Sequence, residues 1–398
     1  MRTARLLAGA LSAVALAGGL AACGDDDGGD DPRGATAAST TAARTPAATT
    51  SAGAPAVGAA GQAGVATGAP GSSGRPFASD APWNTRIEDR PTDARSSRWI
   101  ALAAGDSAGS GLFVNTSRWS VPVVTEEGGR PTRVVCRQLP AFCGDGRRVR
   151  ELPVPPGQDP RPEFDGWFTV LDRPAGVAYD LWRARRGADG VISYQLLRRW
   201  DLGGRGAQAP GRVGARASGL PLFAGLITPD EVAACRIEHA LAISVPEPAG
   251  GLYVAPASSA DPRGSADALP LGARLRLRPG VRLDRLPDRT NTCAARAVTD
   301  ALRRYGAIVV DRARVPTLYA QLNHDWTQPL RDARGALLDG RTRRPLSRAR
   351  LSQPGDVSTP QLRGNEVEQL RLGDFEVVQA GELRRFPGLR DTGEETSR

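Results

Sequence analysis

Phe164-Asp-Gly-Trp-Phe-Thr-Val-Leu-Asp-Arg-Pro-Ala-Gly-Val-Ala-Tyr-Asp-Leu-Trp182 contains two β-type runs joined by the turn sequence Arg173-Pro-Ala-Gly176. Aromatic and β-branched residues fill the runs, and Gly and Pro separate them, as in paired strands. Side chains alternate along a strand, so Val177, Tyr179 and Leu181 share one face while Ala178, Asp180 and Trp182 share the other. The Tyr/Leu face reads as core. A third run at 191–200 follows the turn Arg186-Gly-Ala-Asp-Gly190, completing a meander of the minimum size for independent stability.

Upstream, Phe77 and Trp83 are the first large apolar residues of the ordered region, and Pro76 and Pro82 keep that lead-in extended. Residues 96–104 suit a short helix. Residues 112–124 and 132–136 read as strands around the turn signal Glu126-Glu-Gly-Gly129, and the Pro-rich 152–164 reads as loop. Downstream, Thr228-Pro-Asp-Glu231 is a helix start with Thr at the N-cap, Pro at N1 and Glu at N3. Residues 236–246, 252–255, 273–277, 307–311, 318–322 and 374–379 carry strand patterns. Residues 292–305 form the best amphipathic helix, with Ala294, Ala297, Val298, Ala301, Leu302 and Tyr305 on one stripe and Gly306 at its end. Short strands at regular spacing, interrupted by one or two short helices, predict a mainly β domain: a jelly-roll-like antiparallel β-sandwich spanning 75–385. Within it, the Arg/Pro/Gly-rich 327–364 reads as a long surface excursion, and 386–398 as a disordered tail.

The first residues speak to location. Two arginines in 1–5, an apolar core over 6–20 and the ending Leu20-Ala-Ala-Cys23 make a secretory signal too short to span a membrane. That ending resembles the lipobox of bacterial lipoproteins, which implies that 1–22 is removed and that Cys23 is lipidated. Residues 23–74 are Asp-rich and then Ala/Thr/Gly/Pro/Ser-rich, without an aromatic residue, and read as a disordered tether. The expected partner on that side is the membrane, reached through the lipid anchor. The net charge of +9 does not point to nucleic acid. Every basic side chain apart from two histidines is arginine, and the arginines alternate with acids, as in Asp284-Arg285. The remaining cysteines, Cys136, Cys143, Cys235 and Cys293, form an even set in an exported chain and predict disulfides. Of three pairings, Cys136–Cys143 as a local loop closure and Cys235–Cys293 as a long-range one are preferred. No Cys-x-x-Cys pair supports a metal site, and no cofactor is implied.

Standard catalytic signatures are absent. The single Gly-x-Ser-x-Gly string, Gly105-Asp-Ser-Ala-Gly109, has a helix before it and a strand after it, the reverse of a nucleophile elbow, so Ser107 reads as part of a turn. His324 reads as a loop residue. His239 falls on the apolar face of the 236–246 run, where a catalytic acid/base competes with a buried histidine bonded to backbone. Glu238 faces the other way on a strand. A carboxylate partner has to come from elsewhere, with Asp165 and Asp311 the leading candidates and Asp172 and Asp180 behind them. Trp167, Asp180 and Trp182, with Asp165, have the composition of a sugar-gripping surface, although tryptophan in a meander is more often packing.

Asp165-Gly-Trp-Phe-Thr-Val-Leu-Asp172, Gly176-Val-Ala-Tyr-Asp-Leu-Trp182, Gly219-Leu-Pro-Leu-Phe-Ala-Gly-Leu226, Glu238-His-Ala240 and Tyr305-Gly-Ala-Ile-Val-Val-Asp311 together resemble successive blocks of a family of exported bacterial β-sandwich proteins. The resemblance runs roughly over 77–378 and carries no particular reaction with it. In that family the first block reads Asp-Gly-His, whereas here Trp167 takes the histidine position. The resemblance therefore implies a site that has lost one histidine, which favours binding over catalysis. The expected function is a membrane-anchored lipoprotein that binds envelope or environmental polysaccharide. The alternatives are a polysaccharide lyase or glycoside hydrolase using His239 with a carboxylate, and a structural or interaction lipoprotein without a small ligand.

Overall fold

The computed structural model describes residues 75–388 apart from Asp288. The signal, Cys23 and the tether expected from the sequence lie outside the described residues. In chain order, helix α1 (Ser96–Ala104) precedes strands β1 (Phe113–Asn115), β2 (Val123–Thr125), β3 (Arg130–Cys136) and β4 (Val149–Val154). The meander region supplies β5 (Phe168–Asp172), β6 (Val177–Trp182), β7 (Arg185–Arg186), β8 (Ile192–Tyr194) and β9 (Leu196–Asp201). After α2 (Pro229–Ala234) come β10 (Leu241–Val245), β11 (Pro248–Tyr253), β12 (Leu269–Leu271) and β13 (Arg274–Leu277). Helix α3 (Thr292–Arg304) leads into β14 (Ala307–Arg312) and β15 (Thr317–Tyr319). A one-turn helix α4 (Arg348–Leu351), β16 (Phe375–Val377) and β17 (Arg384–Arg385) complete the described chain.

The protein is mainly β with few short helices, and its sheets are mixed. The largest has six strands in the order β1-β15-β10-β14-β13-β16. Two four-stranded sheets, β2-β5-β6-β9 and β4-β3-β8-β7, and a three-stranded sheet, β12-β11-β17, accompany it. Antiparallel pairs include β5 with β6 and β6 with β9. Parallel pairs include β1 with β15, β2 with β5, β10 with β14 and the sequence neighbours β11 and β12. Parallel partners need a long crossover, and for β10 and β14 that connection contains α3.

The two four-stranded sheets enclose a small core of Val134, Leu152, Phe168, Val170, Leu181, Ile192 and Leu197, with Tyr179 packed against it. The opposite face of the β5–β6–β9 sheet does not meet water. Ala178 and Trp200 join the large core built on the six-stranded sheet and α3, and Trp182 packs against it. The alternation in β6 is thus the expected one, but both of its faces are covered. Helix α3 contributes Ala294, Ala297, Val298, Ala301 and Leu302 to the large core. The Asn291 side chain caps its first turn by accepting from Ala294 N, and Arg303 and Arg304 complement its C-terminal dipole. Gly306 then turns at φ 68 and passes so close to Leu275 that a Cβ would lie 2.3 Å from its carbonyl oxygen.

Both preferred disulfides are present, Cys136–Cys143 and Cys235–Cys293. The second joins the end of α2 to the start of α3. Chain-entropy arguments scale with the enclosed loop, 58 residues here against 7 for the local bridge. Replacing both Cys235 and Cys293 with serine should lower unfolding free energy by about 4 kcal/mol, and the corresponding pair at 136 and 143 by about 2 kcal/mol. Urea denaturation of the oxidised variants checks the ordering.

Candidate functional site

Asp311, next to last in strand β14, lies directly opposite Ser244 of β10 in the parallel register. Tyr319, closing β15, hydrogen-bonds through its hydroxyl to that of Ser244. Asp311 accepts from its neighbour Arg312 N at 2.8 Å and from Ala217 N at 3.4 Å. Next to them lies Arg216, 1 % exposed, whose guanidinium donates to the Leu222 carbonyl at 2.7 Å. It sits 5.1 Å from the Tyr319 ring centroid and 5.9 Å from that of Trp167. Trp167 meets Tyr319 edge-on at 6.3 Å and donates Nε1–H to Ala215 O at 3.1 Å.

Asp165 reaches the same group from the other side. It follows the 3-10 turn Pro162–Phe164 in a left-handed conformation, φ 63, which Asp tolerates better than most residues. The residue is exposed, and partial desolvation of its carboxyl raises its pKa against the pull of Arg183. Burial also pushes Asp311 up to about 6, with the charge of Asp165 adding to the rise. Tyr319 is pushed up to about 12, first by burial and then by Asp311. The structure therefore brings Asp165 and Asp311 into one electrostatic group with Tyr319, Arg216 and Trp167.

Phe164, immediately before Asp165, meets Trp119 at 5.7 Å between ring centroids with the planes tilted by 55°, and Trp119 is 46 % exposed. Trp119 adopts φ 50, a strained conformation for a bulky residue. Its carbonyl accepts from Asn115 Nδ2 at 3.0 Å, and Asn115 is paired with Tyr319 across β1 and β15. Arg161 lies over the Phe164 ring at 5.6 Å. An open aromatic ledge thus leads to the carboxylates.

The expected aromatic residues are placed differently. Trp167 is 6 % exposed and Asp180 1 %, so neither offers a surface. Asp180 accepts from Thr169 Oγ1 at 2.6 Å, Trp200 Nε1 at 2.7 Å and Leu222 N at 2.7 Å, tying β5, β9 and the 213–224 loop together. Burial pushes its carboxyl up to about 6 against those three donors. Trp182 is half-buried beneath the Arg183 guanidinium at 4.7 Å. Ser107 lies in a 3-10 turn and donates to Arg314 O at 3.0 Å. His324 is bonded to Gln361 Oε1 at 2.8 Å.

His239 stands apart from Asp311. It precedes β10, while Ser244 and Asp311 close the other end of the β10–β14 pair. Five residues of extended chain separate His239 from Ser244, roughly 16 Å. Its carboxylate partner is Glu231 of α2, with His239 Nε2 to Glu231 Oε1 at 2.7 Å. Nδ1 faces the Ala240 carbonyl at 2.9 Å. Both ring nitrogens thus face acceptors, which favours the imidazolium and leaves no nitrogen for a substrate proton. Burial pulls the His239 pKa down, but the charge and hydrogen bond of Glu231 more than offset it. Burial likewise opposes ionisation of Glu231, and His239 and Thr228 bring its pKa below the usual value.

No protein-family model, curated protein or solved structure matches the chain. Sequence reasoning assigned neither Trp119, Phe164 nor Glu231 to a site. Glu231 was visible as the N3 residue of a capping box, which it is: Thr228 N and Oγ1 donate to its Oε2 at 3.0 and 2.8 Å. The His239 contact uses its other oxygen. With only two histidines in the chain, imidazole resonances can be followed by NMR. His239 should titrate above the ordinary 6.5, and Glu231→Gln should lower that midpoint. A raised histidine pKa stabilises the fold fully below 6.5, and the contribution fades as pH rises through the raised value. As pH rises from 6.5 through the raised value, wild-type stability should therefore decline more steeply than that of Glu231→Gln.

Proposed function

We propose that this chain is an exported, membrane-anchored protein that binds polysaccharide along the Trp119–Phe164 ledge and its neighbouring carboxylates. The observation that carries the reading is the exposed Trp119 ring seated on Phe164, next to the open carboxylate of Asp165. A pyranose presents a C–H face that packs on an aromatic ring, and its hydroxyls donate to carboxylate oxygens. Asp311 is the half-buried carboxylate nearest to this group, and the buried Arg216 balances part of its charge. The Leu-Ala-Ala-Cys23 ending supports the anchor. A lyase or hydrolase built on His239 draws less from the geometry, because its imidazole is committed to Glu231 and the Ala240 carbonyl.

A glycan array followed by titration of the hits tests the binding site. Trp119→Ala should weaken binding by up to about tenfold, the scale of one aromatic contact, and Asp165→Asn should weaken it further. Absence of any hit, or hits indifferent to Trp119→Ala, refutes the ledge. Separately, Cys23→Ser should move the protein from the membrane fraction to the soluble one, and retention in the membrane fraction would rule out lipid anchoring.

A further inference from the structure

Strands β3 and β4 form a hairpin whose connection begins with a loop closed at its base by the Cys136–Cys143 disulfide. The 3-10 turn Pro140–Phe142 shapes this loop, with Phe142 N and Cys143 N bonded to the carbonyls of Leu139 and Pro140, each at 2.9 Å. Phe142 packs inward against the large core, and a Cβ on Gly144 would lie 2.7 Å from the Leu197 side chain of β9. The inner side of the loop is therefore fixed. Its outer side presents Leu139, at 65 % the most exposed large apolar side chain of the described residues, and Pro140 and Ala141 are exposed beside it. Val149, where β4 begins, is 45 % exposed. A leucine held out on a loop already closed by a disulfide can be buried against a partner at little further cost in chain order.

Arginines accompany this tip. Residues 136–150 hold Arg137, Arg147, Arg148 and Arg150 against one acid, Asp145. Arg147 Nη2 at 2.7 Å and Arg150 Nη2 at 2.5 Å share that carboxylate. Arg137 and Arg148 are exposed, and among the described residues neither is paired with an acid. The next acid along the hairpin, Glu151, lies directly opposite Arg133, which offsets it. Glu126 and Glu127 belong to the turn at the far end, beside Arg130, and Glu126 accepts from Arg173 N at 3.2 Å. On β9, against which the loop packs, the exposed Arg199 and Asp201 offset each other. The tip thus keeps a positive surplus next to exposed apolar side chains. The described chain enters beside the same strand, since Phe77 N and Ala78 N bond to the carbonyls of Leu202 and Gly204 just past the end of β9.

We infer that the tip of the β3–β4 hairpin docks on an anionic lipid surface, with Leu139 entering the headgroup region and Arg137, Arg147 and Arg148 meeting lipid phosphates. Apolar insertion combined with attraction to anionic lipid is the chemistry of interfacial binding. The reach of the tip to a membrane rests on the anchored reading, which also supplies a local lipid concentration at which a modest contact is engaged. Hydrogen exchange of the full chain, read at the amides of 137–149, tests this with an excess of phosphatidylglycerol or phosphatidylcholine vesicles. Exchange there should slow by about fivefold or more with phosphatidylglycerol alone, the effect of roughly one basic residue at such a surface. The protection should fade as salt rises from about 0.1 to about 1 M, where the screening length falls from about 10 to about 3 Å. Leu139→Glu, or Arg137→Glu with Arg148→Glu, should abolish it, whereas Arg137→Lys with Arg148→Lys should keep it. All three positions are exposed, and an intact Cys136–Cys143 bond verifies that the variant loop has formed. Cys23→Ser separates the two readings: without lipid anchoring, sedimentation is indifferent to that change, while protection by added vesicles still reports docking. Equal exchange with the two lipids, protection unaltered by the glutamate variants, equal protection by soluble polyglutamate, or protection that needs only a higher protein concentration (a second copy of the chain) would each overturn the assignment.

Discussion

A guanidinium set against several main-chain carbonyls at once is the interaction on which the rest of this fold depends. Long stretches of the chain lie over the core without regular structure, and their carbonyls still require donors. Arg276 Nη1 serves the carbonyls of Ile87, Glu88 and Arg90 at 2.6–2.8 Å. Arg274 serves Pro82, Thr85 and Tyr305. Arg216 and Arg198 do the same for the 213–224 loop. A planar fork of five donors can span such sets, which a lysine ammonium cannot. Burial lowers Arg274 to about 9 and Arg198 to about 10, which leaves both protonated at neutral pH. Part of the net positive charge is therefore internal scaffolding and has no bearing on nucleic acid.

The layering decides where a ligand can approach. The β2–β5–β6–β9 sheet is enclosed between the small core and the large one, so its side chains are unavailable along most of their length. Besides Arg199 and Asp201 of β9, the turns that feed it reach solvent. That is where Trp119, Phe164 and Asp165 lie, two of them at positive φ. The dyad of His239 and Glu231 occupies the other end of β10, where α2 is fixed against α3 by a disulfide. The His239–Glu231 pair and the Ser244–Asp311 pair thus lie at opposite ends of one strand pair.

Local signals were legible in the sequence. The first two strands of the meander, the capping box of α2, the amphipathic stripe of α3 and both cysteine pairs appear where composition and spacing place them, whereas the third run, 191–200, divides into β8 and β9 of different sheets. Parallel pairing was not legible, because β1 meets β15 through contacts that no local pattern encodes. Alternation in β6 separated two faces correctly but could not tell that both are covered, so Asp180 read as a ligand group when it is a buried tie. His239 was visible as a site candidate, and its partner was visible only as a cap. Trp119 was hidden inside an expected strand that the structure breaks at residues 116–122, since a single left-handed tryptophan leaves no periodic trace.

The arginine clamps also set how the domain bears load. Tension applied to the chain from its N-terminal side enters the described fold at Arg75, well before the first strand. From there to α1 the backbone is held by Arg274 and Arg276, both rooted in β13 of the six-stranded sheet, and by main-chain bonds to Leu202, Gly204, Arg304 and Val377. Force is therefore passed directly to the centre of the molecule through charged hydrogen bonds that share it among several carbonyls. Such a junction yields as a unit and does not peel bond by bond. Lysine at either β13 position would leave the sheet intact while loosening its mechanical hold on the incoming chain.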